Sequence, residues 1–200
     1  MASYESLRNK FDLSGLSYTE DWSAAPDFLE LISNYCLKTK PLNIIECSCG
    51  FSTLVLARCC EINKTGKVTS LENGYEFAQQ TRDQISNYML DKYAGVIDAP
   101  LIKQPLNDRD YQWYTLDNTI PSDIDLLIVD GPPGYIQKNA RYPAINMLQP
   151  FFAEKCRVYL DDAARNDERE IVEQWRRQFS PASVDYIENE RGCAVLDFTR

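Results

Sequence analysis

Acidic side chains follow four short apolar segments of this chain, and this spacing has the most chemical meaning. Such apolar segments are typical of buried strands. The acids that follow them, in chain order, are Glu46, Glu72, Asp130 and the pair Asp161-Asp162. Parallel strands present their carboxyl ends at one edge of a sheet, which is where such sheets bind ligands. We therefore expect these carboxylates to share one edge and one site.

A loop of small residues, Ser48-Cys49-Gly50, follows the first acid. Small side chains let a ligand approach the backbone closely. The helix that begins near Phe51 or Ser52 would direct its unpaired N–H groups and positive dipole end at an anion. Glu46 would instead attract a cation or hydroxyl groups. The loop therefore indicates a ligand with both a negative and a positive part, and the alternative is an ordinary strand-to-helix turn.

Glu72 ends the second strand. In sheets that bind dinucleotides, an acid at this place accepts hydrogen bonds from ribose hydroxyls. We predict that role for Glu72, and the alternative is a solvated acid in a turn.

Asp130, Asp161 and Asp162 end strands expected to be neighbours, so their carboxylates should converge. Converging acids without histidine or thiolate ligands suit a hard divalent cation such as Mg²⁺ or Mn²⁺. In one alternative, Asp162 caps a helix and Asp130 holds its own turn. In the other, nearby basic residues neutralise the acids, namely Lys138, Arg141 and Arg165.

The chain has seven cysteines and no histidine. Cys47 and Cys49 lie close in sequence, as do Cys59 and Cys60, but the C-x-x-C spacing of zinc sites is missing. Reduced and mostly buried thiols fit this pattern better. The lack of histidine excludes Ser-His-Asp and Cys-His catalysis and removes the commonest general base.

Length and charge narrow the class of protein. A chain of 200 residues suits a single domain over residues 1–200 with a substantial core. A net charge of −9 argues against broad binding to nucleic acid or to an anionic membrane. The first ten residues lack the apolar core of a signal peptide, and the aliphatic runs are too short to cross a bilayer. We expect a cytoplasmic protein, and its oligomeric state stays open.

The hydrophobic periodicity predicts alternating strands and helices after an irregular or partly helical lead-in over residues 1–25. Further expected elements are a third strand within residues 96–102, a polar surface loop over 107–119, a helix over 140–152, a strand over 156–160 and a hairpin from 183–187 and 193–198. This order predicts an α/β fold: a doubly wound, mostly parallel seven-stranded sheet with a C-terminal antiparallel hairpin.

Several segments resemble motifs of class I S-adenosylmethionine-dependent methyltransferases. Ile45–Leu54 is similar to the first motif, in the branch with a Gly-Phe-Ser-Thr-type loop, and Val68–Glu72 is similar to the second. Later segments of the same branch are similar to Trp113-Tyr114, Asp125–Gly134 and Val158–Asp162. The resemblance spans residues 26–198. It implies a Rossmann-like methyltransferase fold, S-adenosylmethionine as the cofactor and a small-molecule acceptor.

The resemblance also implies residue roles. The candidate cofactor-binding residues are Glu46, Cys47, Ser48, Gly50, Ser52, Thr53, Glu72, Asn73, Asp130 and Gly131. The acids that would hold Mg²⁺ are Asp130, Asp161 and Asp162, and the catalytic candidates are Asp130, Lys138 and Arg141. Two departures stand out. Ser48 replaces the first glycine of the family motif, at an expected small cost. Catechol-type members carry a lysine four residues after the first acid, where this chain has Gly134, and Lys138 is the nearest candidate.

These features predict O-methylation of a small hydroxylated acceptor. The segment from Asp130 to Tyr135, followed by Arg141, is similar to a metal-dependent branch that acts on sugar acids, which suggests a carbohydrate or carboxylate-bearing acceptor. Transfer from a sulfonium requires mainly that the acceptor oxygen lie in line with the methyl group and be deprotonated. The alternatives are aminopropyl transfer on the same fold, and a cofactor-binding or accessory protein without catalysis.

Overall fold

The structure is a computed structural model that describes residues 2–20, 22–107, 109–116 and 119–199. Its strands are β1 (Asn43–Cys47), β2 (Lys67–Glu72), β3 (Ala94–Asp98), β4 (Leu101–Leu106), β5 (Arg109–Tyr114), β6 (Ile124–Val129), β7 (Phe152–Leu160), β8 (Ser183–Ile187) and β9 (Cys193–Thr199). Its helices are α1 (Tyr4–Lys10), α2 (Pro26–Thr39), α3 (Phe51–Asn63), α4 (Tyr75–Asn87), α5 (Pro143–Leu148) and α6 (Asn166–Phe179). Single 3₁₀ turns occupy Gly134–Ile136 and Gln149–Phe151.

Seven strands form one sheet in the order β3-β2-β1-β6-β7-β9-β8. The first five in this order are parallel, whereas β9 runs antiparallel to both β7 and β8. The predicted fold, with its C-terminal hairpin, is confirmed. The chain moves outward from β1 to β3 and then returns to place β6 on the other side of β1. The carboxyl ends of β1 and β6 therefore flank the crevice where doubly wound sheets bind ligands.

Helices cover both faces of the sheet, which explains the continuous apolar runs in its central strands. Leu126 to Val129 of β6 are all fully buried. Ile44 and Ile128 face one hydrophobic cluster, whereas Ile45 and Leu127 face the other. Strands that are buried on both sides need no alternation of polar residues. None of the described helices is long and apolar enough to span a bilayer.

The prediction of a surface loop over residues 107–119 was wrong. Arg109–Tyr114 forms β5, which pairs antiparallel with β4, and Trp113 and Tyr114 are fully buried. The polar residues of this segment, and Pro105 in its partner strand, hid the strand pattern because strand preference depends strongly on tertiary packing. The strand expected within residues 96–102 is in fact two, since β3 ends at Asp98 and β4 begins at Leu101.

The lead-in is more ordered than expected. It contains α1, whose N-cap Ser3 accepts a hydrogen bond from Ser6 N, and it buries Leu7, Phe11 and Leu13 against the core. The helix expected over residues 140–152 is shorter, because Phe152 already belongs to β7. Parts of the predicted lead-in and loop lie outside the described residues, namely Met1, Asp21, Asp108, Asp117 and Asn118.

Candidate functional site

A cavity of about 630 Å³ lies at the carboxyl edge of the sheet. It is lined by the loop after β1, by the end of β2, by the loops that follow β2 and β6, by the start of α6 and by five lead-in residues, Ser17, Thr19, Trp22, Ser23 and Ala24. Of the predicted site residues, those that line it are Ser48, Gly50, Ser52, Glu72, Asn73, Asp130, Gly131, Arg141 and Asp162. The cavity therefore brings together most of the strand-end acids and the small-residue loop.

Glu46 lies beneath the loop. Its side chain is fully buried, and its Oε2 accepts hydrogen bonds of 2.6 Å from both Thr53 Oγ1 and Ser70 Oγ. Burial raises the pKa of Glu46, and its hydroxyl donors oppose that rise. Thr53 Oγ1 also accepts from Gly50 N at 3.0 Å, which ties the start of α3 to the acid. Glu46, Cys47 and Thr53 do not line the cavity and support the loop from behind.

Ser48 adopts a backbone conformation that favours glycine, with φ at +104°. Its N–H donates to Leu71 O at 2.9 Å, which anchors the loop to β2. The sequence predicted only a small cost for serine at this position because its side chain is small. The side chain does fit, but the positive φ adds backbone strain that the prediction left out. Across the crevice, a Cβ on Gly131 would collide with Tyr114 Oη and crowd Ser48. Glycine at 131 thus allows the two loops to approach each other.

Glu72 is buried at the end of β2, and its Oε1 accepts a 2.7 Å hydrogen bond from Gly74 N. Burial raises the pKa of Glu72, and the hydrogen bond from Gly74 partly offsets this effect. Because the Gly74 N–H fixes its orientation at the cavity wall, Glu72 is placed to accept hydrogen bonds from a bound ligand.

The second group of acids surrounds Arg141, whose guanidinium is almost fully buried. Its Nη2 lies 2.8 Å from Asp162 Oδ2 and 3.3 Å from Asp130 Oδ1, and its Nη1 donates to the main-chain oxygen of Asp161 at 3.0 Å. Arg165 Nη1 adds a 2.9 Å ion pair to Asp162. Burial alone would lower the pKa of Arg141, but these carboxylates hold it above its usual value.

The acids nevertheless keep oxygens that no arginine uses. One oxygen from each of Asp130, Asp161 and Asp162 can be chosen so that all three lie within 4.8 Å of one another. Both carboxylate oxygens of Asp161 and Oδ1 of Asp162 are buried without a hydrogen-bond partner among the described residues. Buried carboxylate oxygens normally have partners. This donor set fits a hard divalent cation, with Arg141 bound to the other side of the same carboxylates.

Crowding of these acids changes their proton affinity. Burial, and then the neighbouring Asp162 carboxylate, raises the pKa of Asp161 to about 6. Burial, and then Asp161, also raises the pKa of Asp130 well above its ordinary value, although Arg141 opposes the rise. Protons and a metal ion would therefore compete for the same oxygens.

The structure does not bring Lys138 to this cavity. Its Nζ forms a 2.8 Å ion pair with Glu170, and both side chains are about half exposed to solvent. Arg141 lies only three residues later in the chain, yet its side chain is buried among the acids. The two basic residues predicted to share the site therefore separate.

Several cavity residues were missed by the sequence analysis. They are Trp22, Phe77, Tyr114, Tyr135, Glu168 and Arg191. Glu168 carried one signal, since it is an acid in the first turn of a helix just after Asp161-Asp162. Its side chain is buried, its Oε2 has no partner among the described residues, and burial raises its pKa. Tyr114 and Tyr135 lie in segments that carry the resemblance but were given no role there, whereas Trp22, Phe77 and Arg191 lie outside those segments.

Comparison with known proteins identifies the fold and the family. A family model described as "Methyltransferase domain" matches residues 45–163, which is more than half of the chain. A search of curated proteins gave no match.

Solved structures share this fold over almost all of the chain. The S-adenosylhomocysteine-bound methyltransferase PaMTH1 of Podospora anserina has a TM-score of 0.73 at 12% identity, covering 100% of this chain and 90% of that one. TomG, an O-methyltransferase from Streptomyces achromogenes involved in tomaymycin synthesis and solved with S-adenosylmethionine, has 0.64 at 12%, covering 100% and 99%. An O-methyltransferase from Bacillus cereus in complex with S-adenosylhomocysteine has 0.63 at 14%, covering 98% and 90%.

Proposed function

Since the chain belongs to the class I S-adenosylmethionine-dependent methyltransferases, we propose that it transfers a methyl group to a hydroxyl oxygen of a small acceptor. One observation carries this proposal: the small-residue loop, Glu72 and the arginine-bound acid cluster all meet at a single cavity. The O-methyltransferases among the similar structures support it. The family match favours neither aminopropyl transfer nor a non-catalytic role.

The wall formed by β1 and β2 would hold the cofactor. Glu72, oriented by Gly74 N–H, would accept hydrogen bonds from the ribose hydroxyls. The N-terminus of α3, which begins at Phe51 directly after the loop, suits the carboxylate of the amino-acid part. Gly131, where a Cβ would collide with Tyr114 Oη, allows the loop after β6 to pack close to Ser48 at the edge of this wall.

The opposite wall would hold the divalent cation. Asp130, Asp161 and Asp162 would provide its oxygen ligands, and Arg141 would orient Asp130 and Asp162 from behind. When bound, S-adenosylmethionine supplies an electrophilic methyl group, and a divalent cation lowers the pKa of an acceptor hydroxyl. The hydroxylated acceptor, carbohydrate or carboxylate-bearing, would lie between the two walls.

We propose that the carboxylate of Glu168 takes up the proton of the acceptor's hydroxyl group. The chain lacks histidine, and Lys138 does not reach the cavity. Glu168 lines the cavity, its Oε2 is buried without a partner among the described residues, and burial raises its pKa. A carboxylate with a raised pKa accepts a proton more readily near neutral pH.

Calorimetry with S-adenosylhomocysteine, with and without Mg²⁺, tests the proposal first. We expect binding in both conditions and, with S-adenosylmethionine and Mg²⁺, release of S-adenosylhomocysteine when a panel of hydroxylated acids and sugars is added. Glu168→Gln should slow that release by about 10²-fold or more while leaving the affinity for S-adenosylhomocysteine unchanged. Absence of any affinity for either form of the cofactor at millimolar concentration would refute the proposal.

A further inference from the structure

Three exposed aromatic rings surround part of the cavity, and we call them the aromatic collar: Trp22, Phe77 and Tyr135. The ring centroid of Trp22 lies 6.4 Å from that of Phe77 and 6.3 Å from that of Tyr135. The three residues are 58%, 59% and 79% exposed. They come from the lead-in, α4 and the loop after β6, so no single element explains their meeting. Exposed apolar groups that converge on a cavity indicate a ligand surface.

Arg191 lines the same cavity from the turn between β8 and β9. It is half-buried, and its Nη1 donates to Ser23 O at 3.2 Å. Arg141 and Arg165, the other arginines of the cavity, are paired with Asp162, whereas Arg191 forms no ion pair within the described part of the chain. Because a guanidinium has five N–H donors in a fork that matches a carboxylate, most of its binding capacity stays available.

We propose that the collar and Arg191 together bind an acceptor whose hydroxylated ring carries a carboxylate. The ring packs against the collar, and the carboxylate accepts hydrogen bonds from Arg191. This inference rests on the proposed function and names the substrate class of the same site. The charges of the cavity favour a ligand with a carboxylate, because Arg191 forms no ion pair with the described acids. An aryl acid and a sugar acid share this chemistry.

A purely structural role for Arg191 is the competing explanation. Arg191 and its neighbour both tie the hairpin turn to the N-terminal part of the chain: Arg191 bonds Ser23 O, and Glu190 N donates to Asp27 Oδ2 at 2.7 Å. If Arg191 only held the turn in place, its loss would weaken the binding of all acceptors alike. Loss of a carboxylate contact would weaken only the acid, and the experiment is built on that difference.

The test measures binding by calorimetry to protein saturated with S-adenosylhomocysteine and Mg²⁺. The probes are 3,4-dihydroxybenzoate, the uncharged 3,4-dihydroxybenzamide, and D-glucuronate. The variants are Arg191→Gln, Arg191→Lys and Trp22→Ala, with Glu190→Gln as a control that changes a neighbouring exposed charge outside the cavity. Because S-adenosylhomocysteine cannot donate a methyl group, no turnover complicates the readout.

We expect wild-type protein to bind one of the two acids, and dihydroxybenzoate to bind about tenfold tighter than its amide if the ring is aryl. Arg191→Gln should lower the affinity for the acid until it is close to that for the amide. Arg191→Lys and Glu190→Gln should largely keep the preference for the acid. Trp22→Ala should weaken the acid and the amide alike. Glucuronate binding that depends on Arg191, without dihydroxybenzoate binding, would identify the sugar-acid form.

The proposal is overturned if S-adenosylhomocysteine binds but neither acid does, or if Arg191→Gln weakens acid and amide equally. A protein that binds no S-adenosylhomocysteine at all fails the proposed function instead, so the two failures can be told apart.

Discussion

The two groups of acids at the carboxyl edge of the sheet are held by different kinds of partner. Glu46 and Glu72 are bound by hydroxyl and main-chain N–H groups, which carry no net charge. Asp130 and Asp162 are instead bound by arginines. The first group occupies a neutral hydrogen-bonding surface and the second a charged network. The neutral surface suits the binding of a ligand through its hydroxyl groups. The charged network suits a reaction in which charge develops in the transition state.

The largest effect should come from the charged network. Replacing Arg141 with Met would leave several buried carboxylates without their cation, so the free energy of unfolding should fall by about 3–5 kcal/mol. Urea denaturation in EDTA measures the loss. Arg157→Met is the control, because it breaks a more exposed ion pair with Asp197 and should cost about 1 kcal/mol. Equal losses would mean that the acid cluster does not depend on Arg141.

The acid cluster should also make the stability of the protein depend on pH. The pKa of Asp161 is about 6 in the folded protein, above its ordinary value of 3.8, because of burial and then Asp162. Between these values the folded protein binds more protons than the unfolded chain, so the free energy of unfolding should fall as the pH rises through that window. Asp130 opposes ionisation of Asp161, whereas Arg141 and Arg191 favour it.

Asp161→Asn should make this slope shallower, because the raised pKa of Asp130 keeps part of it, and it should stabilise the metal-free protein at pH 7.5 by about 1–3 kcal/mol. The same variant should lose the rise in melting temperature that Mg²⁺ or Mn²⁺ gives to the wild type, while S-adenosylhomocysteine binding persists. Asp185→Asn, on the exposed side of β8, should change neither quantity. If the divalent ions shift no melting temperature and no Mn²⁺ anomalous signal lies between these acids, the arginines alone neutralise them.

The neutral surface should respond in binding rather than in stability. Glu72→Ala would leave ribose hydroxyls unpaired, and S-adenosylhomocysteine should bind more weakly by about 1–3 kcal/mol. Calorimetry measures the change. Glu76→Ala removes an exposed acid from the first turn of α4 outside the cavity and should leave affinity intact. A Glu72 variant with wild-type affinity would show that the cofactor does not lie on this wall.

A smaller effect, of opposite sign, is expected in the loop between the two groups. Ser48 has a φ of +104°, so Ser48→Gly should raise the free energy of unfolding by about 1 kcal/mol through relief of backbone strain. Thermal denaturation measures it. Cys49, the next residue, has no positive φ, and Cys49→Gly should destabilise the protein instead. A loss of stability in Ser48→Gly would mean that the serine side chain contributes more than the strain removes.

The smallest effect should come from Lys138, which lies outside both groups. Lys138→Gln removes a solvent-exposed ion pair with Glu170, so the melting temperature and the rate of methyl transfer should both stay at wild-type values. Glu170→Gln is the matched control from the other side of the pair. A large loss of rate in Lys138→Gln, with unchanged cofactor binding, would restore Lys138 as a catalytic residue.

Local sequence patterns were enough to predict the seven-stranded sheet and the acids of the neutral surface. The apolar runs that end in Glu46, Glu72 and Asp130 predicted parallel strands with acids at a shared edge. The polar turn before Cys193 predicted the closing hairpin, and the resemblance to a methyltransferase motif covered the loop after β1. Each of these signals is contained within a few consecutive residues, since strand and turn preferences act over that range.

Tertiary structure decided what no short segment contains. Lys138 and Arg141 are nearly adjacent and both basic, but only packing placed Arg141 among the acids and left Lys138 beside Glu170. Trp22 and Arg191 come from opposite ends of the chain and line one cavity, because hydrogen bonds to Ser23 and Asp27 hold the turn of the C-terminal hairpin beside the lead-in. A buried charge is stable only when an opposite charge or a hydrogen-bonding group lies within reach. Long-range packing of the folded chain decides which groups those are, and the neighbouring residues in the sequence do not.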